Sequence, residues 1–425
     1  MLEKLYIILS VVFWAASLLI VHTYVVYPLL ISLLAKGRRL PSDNFENDTE
    51  FPEVVTLMAV HNEEAVLEAT LTSIFASDYP AGKLRVLIGS DGSTDQSHAI
   101  IKKFQQSHPE LELIIFSGRN GKIPIVNQLA IEASKRLENP ESAAFVLCDA
   151  NVTWTTDMLR NSVRHFKRKD VGLVGASVVD IRGGLEGIRV EEDSYILREN
   201  LIKYRESVLW GSAMGAFGAC YVVRAELFRR VPSNYFNDDF FQTMSCLEQG
   251  YKAIVDIDAI CNEAVSEDIQ QEFSRKRRIA IGNFQNLESF RDFLSPWVGG
   301  WRTWFSFWSH KGLRWIGPLL LVSAFLSCFC LGLISPIYWV PFSVLIATLV
   351  MSGIDLLQSR YSFGKSVSIF RFVRYFYWMN SAVVLGFLSF SGGVKDSIWE
   401  PTHRVGSERS AAGRKGGNVR ATAKI

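Results

Sequence analysis

From Leu5 to Leu34 the chain is apolar apart from His22, a few hydroxyl residues and tyrosines. That run decides what surrounds the chain before anything else decides how it folds. At about 1.5 Å per residue it is long enough to cross a bilayer with some tilt. A secretory signal peptide would carry a shorter apolar core and a small-residue cleavage site; this run ends instead in Lys36, Arg38 and Arg39. The positive-inside rule places that basic end, and the sequence that follows it, in the cytoplasm.

Three further apolar segments come late: Trp315–Ile334, Ile337–Ile354 and Phe372–Phe390. Pro336 separates the first two, which predicts a hairpin, and Trp315, Tyr338, Trp339 and Trp378 suit interfacial belts. Just before them, Leu294–Arg314 interleaves Trp297, Trp301, Trp304, Phe305 and Trp308 with Arg302, His310, Lys311 and Arg314. That mixture predicts an amphipathic helix lying on the bilayer surface. One N-terminal and three C-terminal spans would leave the C-terminus outside. Yet the tail after Gly393 carries Lys395, Arg404, Arg409, Arg414, Lys415, Arg420 and Lys424, and belongs inside. Either Phe372–Phe390 is interfacial or re-entrant, or the first segment is not a simple span. Ser407–Ile425 is small, polar and basic, and is expected to be disordered.

The sequence between these ends has the character of a soluble enzyme. A net charge of +2 without a domain-wide basic surface argues against a nucleic-acid partner. Cys148, Cys220, Cys246, Cys261, Cys328 and Cys330 form no metal-ligand or redox spacing, so they read as small buried hydrophobes. Short apolar runs at Val54–Val60, Leu84–Ser90, Leu111–Phe116 and Ala144–Cys148 alternate with helical spacing over Glu63–Ala76, Gln96–Gln106 and Lys122–Leu137. Strands buried on both faces and crossover helices make a parallel α/β sheet.

Polar clusters follow three of those strands: His61-Asn62-Glu63-Glu64, Asp91-Gly92-Ser93-Thr94-Asp95 and Asp149-Ala150-Asn151. Each alone would serve as a turn or a helix cap. Three at the carboxyl ends of parallel strands make a site, because open sheets bind ligands there. Carboxylates without His or Cys favour a hard cation, Mg²⁺ or Mn²⁺, and such a cation usually serves a phosphate. No Gly-x-x-x-x-Gly-Lys-Ser/Thr loop is present, and no Gly-x-Gly-x-x-Gly follows the first strand. P-loop and dinucleotide chemistry are therefore disfavoured. A metal-bound diphosphate held for departure fits better.

At this point the motifs resemble the family 2 glycosyltransferases, which have the GT-A fold, from about Val54 to Gly282. The likeness continues into flanking membrane segments typical of the polysaccharide-synthase branch. Ala59-Val60-His61-Asn62-Glu63-Glu64 resembles the family's Pro-Ala-Tyr-Asn-Glu-Glu, and Ser90-Asp91-Gly92-Ser93-Thr94-Asp95 its Asp-Asp-Gly-Ser-x-Asp. The resemblance assigns Asn62, Glu63 and Asp91 to the donor, with Asp91 on the nucleoside. Gly121-Lys122 with Asn127 resembles Gly-Lys-x-x-Ala-x-Asn and brings Lys122 near the donor. Asp149-Ala150-Asn151 matches Asp-x-Asp with an amide in second place, which implies a metal held by Asp149 and Asn151. Asn237-Asp238-Asp239-Phe240 resembles the acid-Asp motif before a helix, here expected from Phe240 to Gln249 and stopped by Gly250. Asp239 aligns with the catalytic base and Asp238 accompanies it. Arg275-Lys276-Arg277-Arg278-Ile279 occupies the place of Gln-x-x-Arg-Trp, so Arg275 and Arg278 would face the leaving diphosphate. Ile279 removes the aromatic platform for a growing chain and argues against a highly processive polymerase. Trp399-Glu400-Pro401-Thr402-His403-Arg404 resembles a Trp-x-Pro-Thr-x-Arg ending of this branch.

The resemblance thus implies an inverting transferase taking a sugar from a nucleotide-sugar, a UDP-sugar, to a hydroxyl of a polysaccharide or lipid-linked glycan. It would sit in the inner membrane as a multi-pass protein, in contact with membrane lipids, with its catalytic domain cytoplasmic. The expected organisation is a span over 1–40, a GT-A domain over 50–293, an interface helix over 294–314, membrane or re-entrant helices over 315–392 and a basic tail over 393–425. Two alternatives stand beside it. A lipid acceptor such as a polyprenyl phosphate would need no base, and a scaffold or transport subunit would need no chemistry.

Overall fold

Along β1 (Glu53–Val60) alternate residues feed two different cores, which sets the layering of the whole domain. Val54, Met58 and Val60 pack to one side of the sheet, and Val55, Leu57 and Ala59 to the other. A strand apolar on both faces must be covered on both, and each fully buried Val or Leu contributes about 1.5–3 kcal/mol. The computed structural model describes residues 2–41, 44–180, 188–263, 269–361 and 367–394. The Trp399–Arg404 motif and the basic tail lie outside the described residues.

β2 (Leu84–Asp91), β3 (Leu111–Phe116) and β4 (Ala143–Cys148) extend β1 in parallel. β5 (Val152–Trp154), β6 (Val171–Val179), β7 (Cys220–Arg224) and β8 (Lys252–Glu263) complete a mixed sheet ordered β3-β2-β1-β4-β7-β6-β8-β5. β7 runs antiparallel between β4 and β6, which the sequence does not announce. α3 (Leu67–Phe75), α4 (Ser97–Gln105) and α6 (Met158–Val163) cover one face. α5 (Lys122–Ser134) covers the other.

The expected start of α3 at Glu63 moves to Leu67 for a local reason. The amides of Glu63 and Glu64 donate to Ser97 Oγ at 3.0 Å and Asp95 Oδ2 at 3.0 Å, so the first turn is spent joining two loops.

The apolar ends form their own helices. α1 (Leu2–Val21), a π-helical turn (His22–Val26) and α2 (Tyr27–Leu34) make one rod of 33 residues, apolar enough to cross a membrane. α7 (Ile188–Trp210), α8 (Asp238–Glu248) and α9 (Ile269–Ser289) belong to the central domain. After them come α10 (Gly300–Phe307), a second π-helical turn (Trp308–Gly312), α11 (Leu313–Trp315) and α12 (Gly317–Gly332). α13 (Trp339–Tyr361) and α14 (Ser368–Ser391) follow. Pro336–Tyr361 also qualifies as a span, and Gly300–Trp315 with Gly317–Gly332 qualifies only as a pair bent by 65°. Pro318 in the first turn of α12 supports that break, because it has no N–H to continue the preceding helix. α14 is not among the candidate spans; it carries Arg371, Arg374 and Asn380. The single amphipathic helix expected over 294–314 is corrected: regular helix begins at Gly300, whose φ of 79° breaks the chain there. Trp297 and Trp301 stay exposed as the composition demanded.

The hydrophobic cluster of Phe240, Phe241, Phe284, Phe307 and Trp315 ties α8 and α9 to the apolar C-terminal segments. α8 and α9 are therefore packed against the apolar C-terminal helices rather than left at a free surface.

Candidate active site

Gly121, at φ 92°, ends the β3–α5 loop and lets α5 begin at Lys122. The lysine ammonium lies 2.8 Å from Asp149 Oδ1, at the end of β4, and 3.4 Å from Asp238 Oδ1, at the start of α8. Burial alone would lower this ammonium; Asp149 and Asp238 override it and raise it well above the usual lysine range. Three segments distant in sequence are thus pinned at one point by charge.

The two aspartates of α8 then divide. Asp238 is buried, accepts from Tyr221 Oη at 3.2 Å and from Lys122, and so anchors the helix. Asp239 is half-buried and lines the cavity, with Oδ1 accepting its neighbour's amide, Phe240 N, at 2.8 Å. Burial first, and the charge of Asp238 second, push the Asp239 carboxyl up to about 6. A carboxylate poised there is a competent general base near neutral pH.

The cavity holds about 570 Å³, and its walls include Glu63, Lys122, Asp149, Asn151, Arg275 and Arg278 beside the two aspartates. Asn62 and Asp91 do not line it. Asn62, at φ 52°, accepts from Thr94 N at 2.8 Å and joins two loops. Asp91 is 1% exposed and takes the amides of Asn120 at 2.6 Å and Gly121 at 2.9 Å, so it shapes the loop that presents Lys122.

The four cations of α9 are not equivalent. Lys276 pairs with Glu192 at 2.6 Å, Arg275 with Glu272 at 3.5 Å, and Arg277 donates to Ser389 on α14. Arg278 has no hydrogen-bond or ion-pair partner among the described residues and faces the cavity, where burial and Arg275 depress it. A guanidinium so placed can receive an anion that enters the cavity.

Among the described residues no three His, Cys, Asp or Glu side chains gather as a metal cage. A small hard cation does not need one, since Mg²⁺ is commonly held by one or two carboxylates plus substrate phosphates and water. Asp149 already stabilises a positive group in Lys122, and Asn151, whose Nδ2 donates to Glu263 at 3.4 Å, stands beside it. The donor set fits such a cation.

Three contributors escape the motif reading. Glu263 reaches the site because β8 pairs with β5, Val152 opposite Glu263. The Gly215–Gly218 stretch passes close to α8: a Cβ at Gly215 would sit 2.8 Å from Phe240 and one at Gly218 3.3 Å from Asp239. Lys203 lies 3.4 Å over the Phe217 ring, and burial, with Lys311, lowers its ammonium to about 7. Only the glycine spacing could have been noticed in the sequence.

Comparison with known proteins agrees with this architecture. The glycosyl transferase family 2 model matches residues 56–231, and the glycosyl transferase family group 2 model matches 144–354. A beta-monoglucosyldiacylglycerol synthase from Synechocystis is 25% identical over 160 residues, 36% of this chain and 32% of that protein. An N-acetylglucosaminyltransferase from Rhizobium is 25% identical over 261 residues, 58% of this chain and 56% of that one. The matches thus span about a third to about half of these relatives. The structure of mannosyltransferase PcManGT from Pyrobaculum calidifontis, solved with GDP-Man and Mn²⁺, superposes with a TM-score of 0.64. It is 21% identical and covers 92% of this chain and 99% of its own, a likeness of fold. The chain belongs to the family 2 glycosyltransferases and has their GT-A fold.

Proposed function

We propose that this protein is an inverting glycosyltransferase that moves a sugar from a nucleotide-sugar, a UDP-sugar, to a hydroxyl of a polysaccharide or lipid-linked glycan. The observation that carries this reading is the convergence of Asp149, Lys122, Asp238 and Asp239 from separate segments on one cavity. Asp239 takes the proton of the acceptor hydroxyl as its oxygen attacks the anomeric carbon. The bond from that carbon to the diphosphate breaks in the same displacement, so the configuration inverts. The departing charge is received by Arg278 and Lys122. Asp149 and Asn151 would hold a divalent cation, Mg²⁺ or Mn²⁺, which neutralises the diphosphate. The relatives named above, a lipid glycosyltransferase and an N-acetylglucosaminyltransferase, support a transferase without choosing its donor. Lys36, Arg38 and Arg39 after the first apolar run support a catalytic domain on the cytoplasmic face of the inner membrane.

The test is a screen of nucleotide-sugars by release of nucleoside diphosphate, repeated with Asp239→Asn. The variant is expected to bind donor and to lose roughly 10²-fold or more in turnover; full activity would remove Asp239 as base. Donor binding should fall on chelation with EDTA, and binding indifferent to EDTA would remove the metal.

A further inference from the structure

The cavity does not end at the sheet. Its far wall is made by Tyr24 and Pro28 of the N-terminal apolar rod and by Phe372, Phe376, Met379 and Val383 of α14. One chamber therefore runs from the carboxylates to residues of the N-terminal apolar rod and of α14.

Where the two parts meet, the backbone is unusual twice. His22–Val26 and Trp308–Gly312 are both π-helical, and they are bonded together: His22 Nε2 with Ser309 Oγ at 2.9 Å, and Thr23 Oγ1 donating to Ser309 O at 2.7 Å. π-turns are well under 1% of residues and concentrate at functional sites. Each of these places a side chain in the cavity wall, Tyr24 and Lys311. Tyr24 meets Phe376 edge-on, with centroids 5.5 Å apart, and carries the Arg314 guanidinium 5.4 Å above its ring. Three elements remote in sequence thus ring one opening.

The opening is also unbalanced in charge. Lys311 and Arg314 share Glu199, whereas Arg198 and Arg205, two turns apart on α7, have no carboxylate partner among the described residues. Both line the cavity, with the exposed Leu201 between them. Arg205 is half-buried and Arg198 exposed, so both guanidiniums are open to an anion that a ligand brings to the opening.

We propose that this end of the cavity is a lateral port for a phosphate-bearing lipid acceptor. The hydrocarbon chain lies between Tyr24 and Pro28 on one side and Phe372 and Phe376 on the other. The lipid's phosphate rests on Arg198 and Arg205, and its sugar or headgroup hydroxyl reaches Asp239. This rests on the transferase reading above and adds the acceptor's class and route. The phosphate could belong to a prenyl lipid or to a bilayer phospholipid, which share this chemistry.

The test uses the full chain in a non-ionic detergent with two photoactivatable probes, diazirine-farnesyl phosphate and diazirine-farnesol, and maps crosslinks by mass spectrometry. The phosphate probe is expected to label 24–28 and 372–383. Neutralising both cations, Arg198→Gln with Arg205→Gln, should cut that labelling about tenfold, while Arg205→Lys retains most of it. Unlabelled farnesyl phosphate displacing the probe assigns the port to a prenyl lipid, and displacement by phosphatidylglycerol assigns it to a phospholipid. Labelling confined to the outward faces of α1 and α13, or equal labelling by farnesol in every variant, overturns the port. Nucleotide-sugar binding is read separately by calorimetry. Protein that binds nucleotide but is not labelled in the port loses this proposal alone; protein that is labelled but binds no nucleotide loses the transferase reading.

Discussion

At the scale of single residues, Asp238 and Asp239 show how adjacent identical side chains acquire different work. Asp238 pairs with Lys122 and accepts from Tyr221, and Asp239 is left facing the cavity. The sign of the resulting pH dependence follows from the raised carboxyl. Its ordinary value is 3.8 and its folded value about 6, so between these pH values the folded state holds more protons than the unfolded. Stability from this group is therefore full below the lower value and lost as pH rises through the upper one. Activity runs the other way, because only the ionised form accepts a proton. The rate constant kcat/KM should rise with pH up to about 6 and then level. Asp239→Asn should abolish that limb in a pH–rate profile; a variant that keeps it would place the titration elsewhere.

Elements carry the geometry that residues alone could not. α9 holds the start of α8 in place: Asn237 Nδ2 donates to Ile279 O at 2.9 Å, and Asn286 Nδ2 donates to Asn237 O at 3.2 Å. The helices approach so closely that a Cβ at Gly282 would stand 2.5 Å from Asn237 Cγ and 2.9 Å from its amide nitrogen. Gly282→Ala should gain about 1 kcal/mol of helix propensity and lose about 1–3 to overpacking. The expected result is a lower thermal midpoint and a slower enzyme, since α9 can yield only by moving Asp238 and Asp239. A more stable variant with undiminished turnover would show that this contact positions nothing. The strands β1 to β4 and helix α8 were legible within a few residues, because unbroken apolar runs and a terminal Gly250 mark them locally. The antiparallel β7 and the broken helix over 294–314 were not, because pairing partners and close backbone approach leave no mark in a short window of sequence.

At the scale of the molecule, one buried ionic cluster joins the N-terminal rod to the catalytic domain. Glu206 Oε1 accepts from Tyr27 Oη at 2.7 Å and lies 2.8 Å from His310 Nδ1, while its Oε2 accepts the Met214 amide at 3.0 Å. His310 reaches Glu199 with its other nitrogen. Carboxylates therefore stand at both ring nitrogens, Glu206 at one and Glu199 at the other. Glu206→Ala would orphan the Tyr27 hydroxyl, one His310 ring nitrogen and the Met214 amide in the dry interior, at a cost of about 1–3 kcal/mol for each group left unpaired. Thermal unfolding of the detergent-solubilised protein should show that loss, with Glu206→Gln between it and the native chain. An unchanged midpoint in the alanine variant would mean that the rod and the domain are stabilised independently.

The sequence by itself determined the apolar ends, the strand ends where carboxylates stand, and the family, because each is written in contiguous residues whose periodicity or motif survives without a partner. It also named Lys122, Asp149, Asp239, Arg275 and Arg278, which the fold does bring to one cavity. Only the tertiary structure decided that Asn62 and Asp91 hold loops instead of lining it, that Arg278 is the unmatched cation of its quartet, and that the chamber continues to Tyr24 and Phe376. These depend on which carboxylate meets which cation across the fold. Packing brings together Lys122 with Asp149, Lys276 with Glu192 and His310 with Glu206, pairs far apart along the chain.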